Sequence, residues 1–136
     1  MPDRPAALTV RMTERLSPEE CWRLLARAHV GRVAVHTDGE IDIFPINFVA
    51  TRGELFFRSA PGSKLMDIAS NPVVAFESDG RRPGHRWSVV VRGTAQRLDR
   101  DDEIEASGVL GLHTATSTEK WNYVRIRPTS VTGRRL

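Results

Sequence analysis

The chain is poor in cysteine, lysine and tyrosine, and each shortage removes a class of explanation. Cys21 is the single cysteine among 136 residues. No intramolecular disulfide can form, and no zinc site built on paired thiolates is possible. The four histidines, His29, His36, His85 and His113, show no metal-ligand spacing, so no metal is expected. No apolar run approaches the length that spans a bilayer, and nothing reads as a secretory leader. The expected compartment is the cytoplasm. Lysine occurs only at Lys64 and Lys120 against eighteen scattered arginines, and the formal net charge is only +3. Without an aromatic–basic platform, that charge does not point to nucleic acid. Neither G-x-x-x-x-G-K-[ST] nor G-x-S-x-G is present, which removes a nucleoside-triphosphate loop and a nucleophile elbow.

What remains is an ordinary globular composition, 40% hydrophobic and 27% charged, of a length that fits one domain spanning 1–136. Residues 1–13 hold two prolines and weak periodicity and read as a loose arm or an edge strand. Ser17-Pro18-Glu19-Glu20 has the form of a capping box with proline at the first helical position. It predicts a helix to about Ala28, with Cys21, Leu24, Leu25 and Ala28 on its apolar stripe. On that stripe Cys21 is a core thiol rather than a nucleophile.

From Gly31 the pattern changes to strands. Arg32 to His36 leads into Asp38-Gly39, a hairpin signal, and Ile41 to Ala50 returns. Pro45 inside that return strand predicts an edge or a bulge, since proline cannot donate to a ladder. Glu54 to Ser59 is the next strand, 63–70 a short helix stopped by Asn71-Pro72, and Val73 to Asp79 another strand. A polar loop is expected from Gly80 to Arg86, and a long strand from Trp87 to Leu98. Asp99 to Glu105 reads as a solvated helix entry, 103–110 as one or two short turns and 111–119 as a flexible loop. Tyr123–Arg127 and Thr129–Leu136 close the chain as strand-like segments. Strands in consecutive hairpins with two helices fit a small antiparallel barrel, not a Rossmann fold.

Three stretches can carry chemistry. In Phe57-Arg-Ser-Ala-Pro-Gly-Ser-Lys-Leu65 a strand ends at Arg58-Ser59 and a helix opens at Ser63-Lys64. Unpaired N–H groups in a first helical turn, a hydroxyl and an ammonium suit a phosphate ester; a solvated, capped corner is the competing reading. In Phe44-Pro45-Ile46-Asn47-Phe48 a bulge at Pro45 would leave backbone groups unpaired for the polar edge of a planar ligand, with Asn47 as donor and acceptor. An edge strand with Asn47 in solvent competes with it. Along Trp87 to Arg92, alternation places Trp87, Val89 and Val91 on one face and Ser88, Val90 and Arg92 on the other. Both faces are partly apolar, so the one turned away from the core calls for a partner subunit.

In this order the motifs resemble a known family. Leu16-Ser-Pro-Glu-Glu-Cys21, Val30-Gly-Arg-Val-Ala34, Pro45-Ile-Asn-Phe48, Phe57 to Lys64, Asn71-Pro-Val-Val-Ala-Phe-Glu77 and Trp87-Ser-Val-Val-Val-Arg-Gly93 are similar to the flavin-binding split-barrel proteins related to pyridoxamine 5'-phosphate oxidase. The resemblance implies a mainly β, six-stranded antiparallel split barrel that works as a homodimer with cofactor sites at the interface. It implies that Pro45, Ile46, Asn47 and Phe48 lie along an isoalloxazine ring and that Arg58 and Ser59 meet its pyrimidine end or ribityl chain. Ser63 and Lys64 would hold the phosphate, and Trp87 and Ser88 would close the site from the second subunit. The implied cofactor is FMN or the deazaflavin coenzyme F-420, with haem in some relatives. The C-terminal part has no Glu-Phe-Trp or Arg-x-His segment, so vitamin B6 oxidation is not implied. The expected activity is hydride or electron transfer to a small molecule, with a non-catalytic flavin carrier or sensor as the alternative. No residue is nominated as acid or base; His85 is the nearest candidate.

Overall fold

The computed structural model describes residues 13–60, 62, 68, 71–98 and 122–136. One helix and seven strands follow in chain order: β1 (Glu14–Leu16), α1 (Pro18–Arg27), β2 (Val30–Thr37), β3 (Glu40–Thr51), β4 (Glu54–Ser59), β5 (Val73–Arg82), β6 (His85–Leu98) and β7 (Asn122–Arg135). The expected short helix at 63–70, the turns at 99–110 and the loop at 111–119 lie outside the described residues, as do Ser63, Lys64 and most of the N-terminal arm.

The helix starts where the capping pattern predicts. Ser17 is extended, and its hydroxyl accepts the Glu20 N–H at 3.2 Å. The Glu20 carboxylate turns away from the cap and accepts from the Arg135 guanidinium at 3.3 Å, tying the helix to the C-terminal strand. Cys21 and Leu25 are fully buried on the stripe facing the barrel. Gly133 makes that docking possible, because a Cβ there would stand 2.6 Å from Cys21 Sγ.

The sheet runs β1-β7-β4-β3-β2-β5-β6, and a further β7–β6 pairing closes the six long strands into a ring. The fold is therefore an antiparallel split barrel with one helix. The three-residue β1 adds a seventh strand to the six expected, sharing an edge of β7 with β4. Closure removes most of the exposed strand edges and encloses one core. Val33, Val35, Phe48, Leu55, Phe57, Phe76, Val89, Val91, Val124 and Ile126 fill it, with Phe48 and Phe76 edge to face at 4.8 Å between ring centres.

Three local expectations are corrected. Gly80–Arg86 is not a polar loop: β5 runs to Arg82, β6 starts at His85, and Pro83-Gly84 alone makes the turn. Proline fixes the first central position and Gly84, at φ +85°, takes the second, which needs positive φ. The two closing segments are one 14-residue strand. Pro128 is accommodated by a register shift opposite Arg92 and Gly93, which leaves Thr129 unpaired in the ladder, its hydroxyl donating to Arg92 O at 3.1 Å. Pro45 produces no bulge. It pairs with Arg32 in unbroken β2–β3 register and satisfies the edge reading instead.

Candidate functional site: an open edge of strand β3

Strand β3 changes partners at Asn47. Residues 40–47 pair with β2, whereas pairing with β4 begins only at Phe48. Among the described residues, the edge of 40–47 facing away from β2 has no ladder partner. Backbone groups there need another acceptor or donor, from solvent or from a ligand.

Side chains around this edge divide by the pleat. Ile46 and Phe48 point into the core, while Pro45 and Asn47 are exposed on the outer face. On β4, Phe57 is in the core and Arg58 points outward. Asn47 and Arg58 are the next residues beyond the last β3–β4 pair, Phe48–Phe57, and both lie on the outer side of the pleat. Tyr123 is the β7 partner of Arg58 and packs with Phe56 and Leu98 in a small apolar cluster outside the main core. The outer face therefore carries the Arg58 guanidinium beside the Tyr123 phenol, with the Asn47 amide at the end of the open strand edge. Tyr123 was missed from sequence, because only the β4–β7 pairing brings it to Arg58.

The other expected site residues fall elsewhere. Ser59 is buried, 6% exposed, its hydroxyl turned to Ala60 O at 3.4 Å, so it does not share the outer face with Arg58. Trp87 is also 6% exposed and belongs to the core. Ser88 faces outward opposite Asp79 on β5. Counting across β2 and β5, it lies three strand spacings from Asn47, roughly 14 Å in one chain. Between them, Arg32 donates to Glu77 at 2.7 Å and to Asp79 at 3.3 Å. The hydrogen bond and charge of Glu77 hold the Arg32 guanidinium above its ordinary value. His85 sits at the tip of the β5–β6 hairpin, in a cavity with Arg23 and Arg82, and not at the β3 edge.

Among the described residues no group of three or more His, Cys, Asp or Glu side chains is placed to hold a metal ion, and no helix is long and apolar enough to cross a membrane.

The closed ring with an amide- and guanidinium-flanked strand edge defines the class, a split-barrel protein. A pyridoxamine 5'-phosphate oxidase family model matches residues 17–135, and the chain belongs to that family. A solved FAD-binding protein from Mycobacterium smegmatis is 38% identical, with 90% of this chain and 98% of that one aligned at a TM-score of 0.78. An FAD-binding protein from Mesorhizobium loti is 29% identical, covers 90% of this chain and 96% of its own, and has a TM-score of 0.80. An uncharacterised Mycobacterium tuberculosis protein is 36% identical over 80 residues, 59% of this chain and 73% of that protein.

Proposed function

We propose that this protein is a flavin-type oxidoreductase in which a phosphorylated coenzyme, FMN or its deazaflavin counterpart, lies along the open edge of β3. The observation that carries the reading is the edge of β3 left without a ladder partner from 40 to 47, with Asn47 and Arg58 just beyond the last β3–β4 pair. A planar ring with alternating donors and acceptors matches an unpaired strand edge, and an amide and a guanidinium supply directional donors at its rim. Ser63 and Lys64 follow in sequence and are assigned the phosphate. The FAD-binding relatives favour a flavin over the deazaflavin.

When bound, the coenzyme supplies hydride acceptance and donation at its ring, and the chain supplies orientation, a donor edge and exclusion of water. The substrate is a small molecule whose identity no residue at the β3 edge specifies.

The site is completed by a second copy of the chain. Ile41 and Ile43 on β3 and Val73 on β5 are 71%, 67% and 71% exposed on the outer face, beside Ala34 and Ala75. A contiguous apolar sheet face of this kind marks an association surface. In that dimer the second copy's Ser88 is assigned to the coenzyme site.

Absorption spectra of the purified chain titrated with FMN and with F-420 test the reading. Retention of a coloured coenzyme is expected, and its weakening by Asn47→Ala locates it. A chain that binds neither coenzyme defeats both the enzyme and the carrier readings. Oxidation of the reduced coenzyme by an electron acceptor, faster with the protein than without, then separates an enzyme from a carrier.

A further inference from the structure

We infer that the protein has a second ligand site, for a phosphorylated small molecule of about nucleotide size, in the cation-lined cleft between α1 and the β5–β6 hairpin. It does not depend on the coenzyme reading.

Two adjoining cavities make up the cleft. One, about 360 Å³, is walled by Arg23, Leu24 and Arg27 from α1 and by Arg82 and His85 from the hairpin, with Arg135 at its edge. The other, about 420 Å³, continues past Leu24, Arg27 and Arg82 to Ala28, Val30 and Trp87. Each lies within the volume range of small-ligand sites.

The charge in this cleft is not internally balanced. Its two acidic residues are already engaged, Glu20 with Arg135 at 3.3 Å and Asp79 with Arg32 at 3.3 Å. Arg23, Arg27 and Arg82 have no acidic partner among the described residues. Arg23 and Arg27 are four residues apart, so the helix stacks them on one face, and Arg82 approaches from the opposite wall. Guanidinium groups that line one concave space repel one another unless an anion joins them, and a concave wall focuses their field. Guanidinium forks match phosphate oxygens two at a time.

The second cavity adds apolar walls from Leu24, Ala28, Val30 and Trp87 to a lining that also holds His29, Asp79 and a further cation, Arg81, beside Arg27 and Arg82. A ligand with a phosphate or diphosphate at one end and a flat, largely apolar body at the other fits both halves. ADP is a suitable probe of that chemistry.

The test is isothermal titration of the full chain with ADP, adenosine and inorganic pyrophosphate. ADP binding is expected, with pyrophosphate weaker and adenosine weaker still. Arg27→Ala and Arg82→Ala should each weaken ADP binding at least ~tenfold, the loss of a charged hydrogen-bonded pair. Arg52→Gly, which removes one positive charge at the distant β3–β4 turn, should change it less than ~twofold at physiological salt. Far-ultraviolet circular dichroism confirms that the variants are folded. No ADP binding at millimolar concentration, adenosine binding as tightly as ADP, or ADP binding untouched in both cleft variants would each overturn the proposal. Should ADP occupy only the coenzyme site, excess FMN would displace it while the arginine variants left it unchanged, and that pattern also overturns the proposal.

Discussion

Gly80 lies flat against the indole of Trp87, so close that a Cβ at position 80 would stand 2.7 Å from the ring. The pair face each other in the β5–β6 register, at the floor of the cation-lined cleft. Gly80→Ala forces either the indole or the strand to move, and overpacking of this kind costs about 1–3 kcal/mol. Urea unfolding should show that loss with an unchanged slope. By contrast, Trp87→Phe should relieve the clash, so the double variant should recover part of the stability. A Gly80→Ala variant as stable as the parent would mean that the two are not in contact.

Lys64 is the position where the phosphate assignment can be isolated. Lys64→Ala should weaken FMN binding by at least ~tenfold and riboflavin binding by less than ~twofold, because only FMN carries the phosphate assigned to the ammonium. Flavin fluorescence titration reads both. Equal losses for the two ligands would remove Lys64 from the phosphate site.

Ile43 tests the association surface. It is two-thirds exposed on the outer sheet face, so Ile43→Asp should change the stability of a lone barrel by no more than about 0.5 kcal/mol. In a dimer the same substitution buries a carboxylate without a partner. Light scattering after gel filtration should give a dimer for the parent and a monomer for Ile43→Asp, with coenzyme affinity lost in parallel. A parent that runs as a monomer at micromolar concentration contradicts the shared site.

Cys21 gives a pH prediction with a definite sign. Burial first, and the neighbouring Glu20 charge second, push its thiol above the ordinary value of 9.0. The folded state therefore keeps a proton that the unfolded state gives up in alkali. Its contribution to stability is complete below about pH 9, declines as pH rises further and is gone once pH exceeds the raised folded value. Cys21→Ala should lose that part of the alkaline slope in urea unfolding. In the parent at pH 7.5, a disulfide reagent should react with Cys21 only at the rate of unfolding. Fast, stoichiometric labelling of the native chain would show the thiol to be accessible.

Much of the fold was legible because its signals are local. Ser17-Pro18 and the Cys21–Leu25 stripe define the helix through capping and periodicity, and Asp38-Gly39 defines the first hairpin through positive φ. Alternation along Trp87 to Arg92 separated core from outer face correctly. Misreadings came where a local breaker was absorbed by long-range pairing. Pro128 did not split β7, because the bulge opposite Gly93 carries it, and the polar run 80–86 became strand on both sides of a two-residue Pro83-Gly84 turn because β5 and β6 pair along it.

By itself the sequence determined the helix cap, the first hairpin turn, most of the strand content and the candidate side chains, since each depends on backbone preferences within a few residues. Only the tertiary structure decided which of those side chains meet. Asn47 and Arg58 come to the point where β3 and β4 part, and Tyr123 joins Arg58 through a pairing between strands more than sixty residues apart in the chain. Arg23, Arg27 and Arg82 share a cleft because the closed ring of strands folds a hairpin tip against the first helix. Their sequence neighbours carry no trace of that meeting, because a guanidinium on a helix and one on a hairpin look like ordinary surface charges until register and closure place them around the same space.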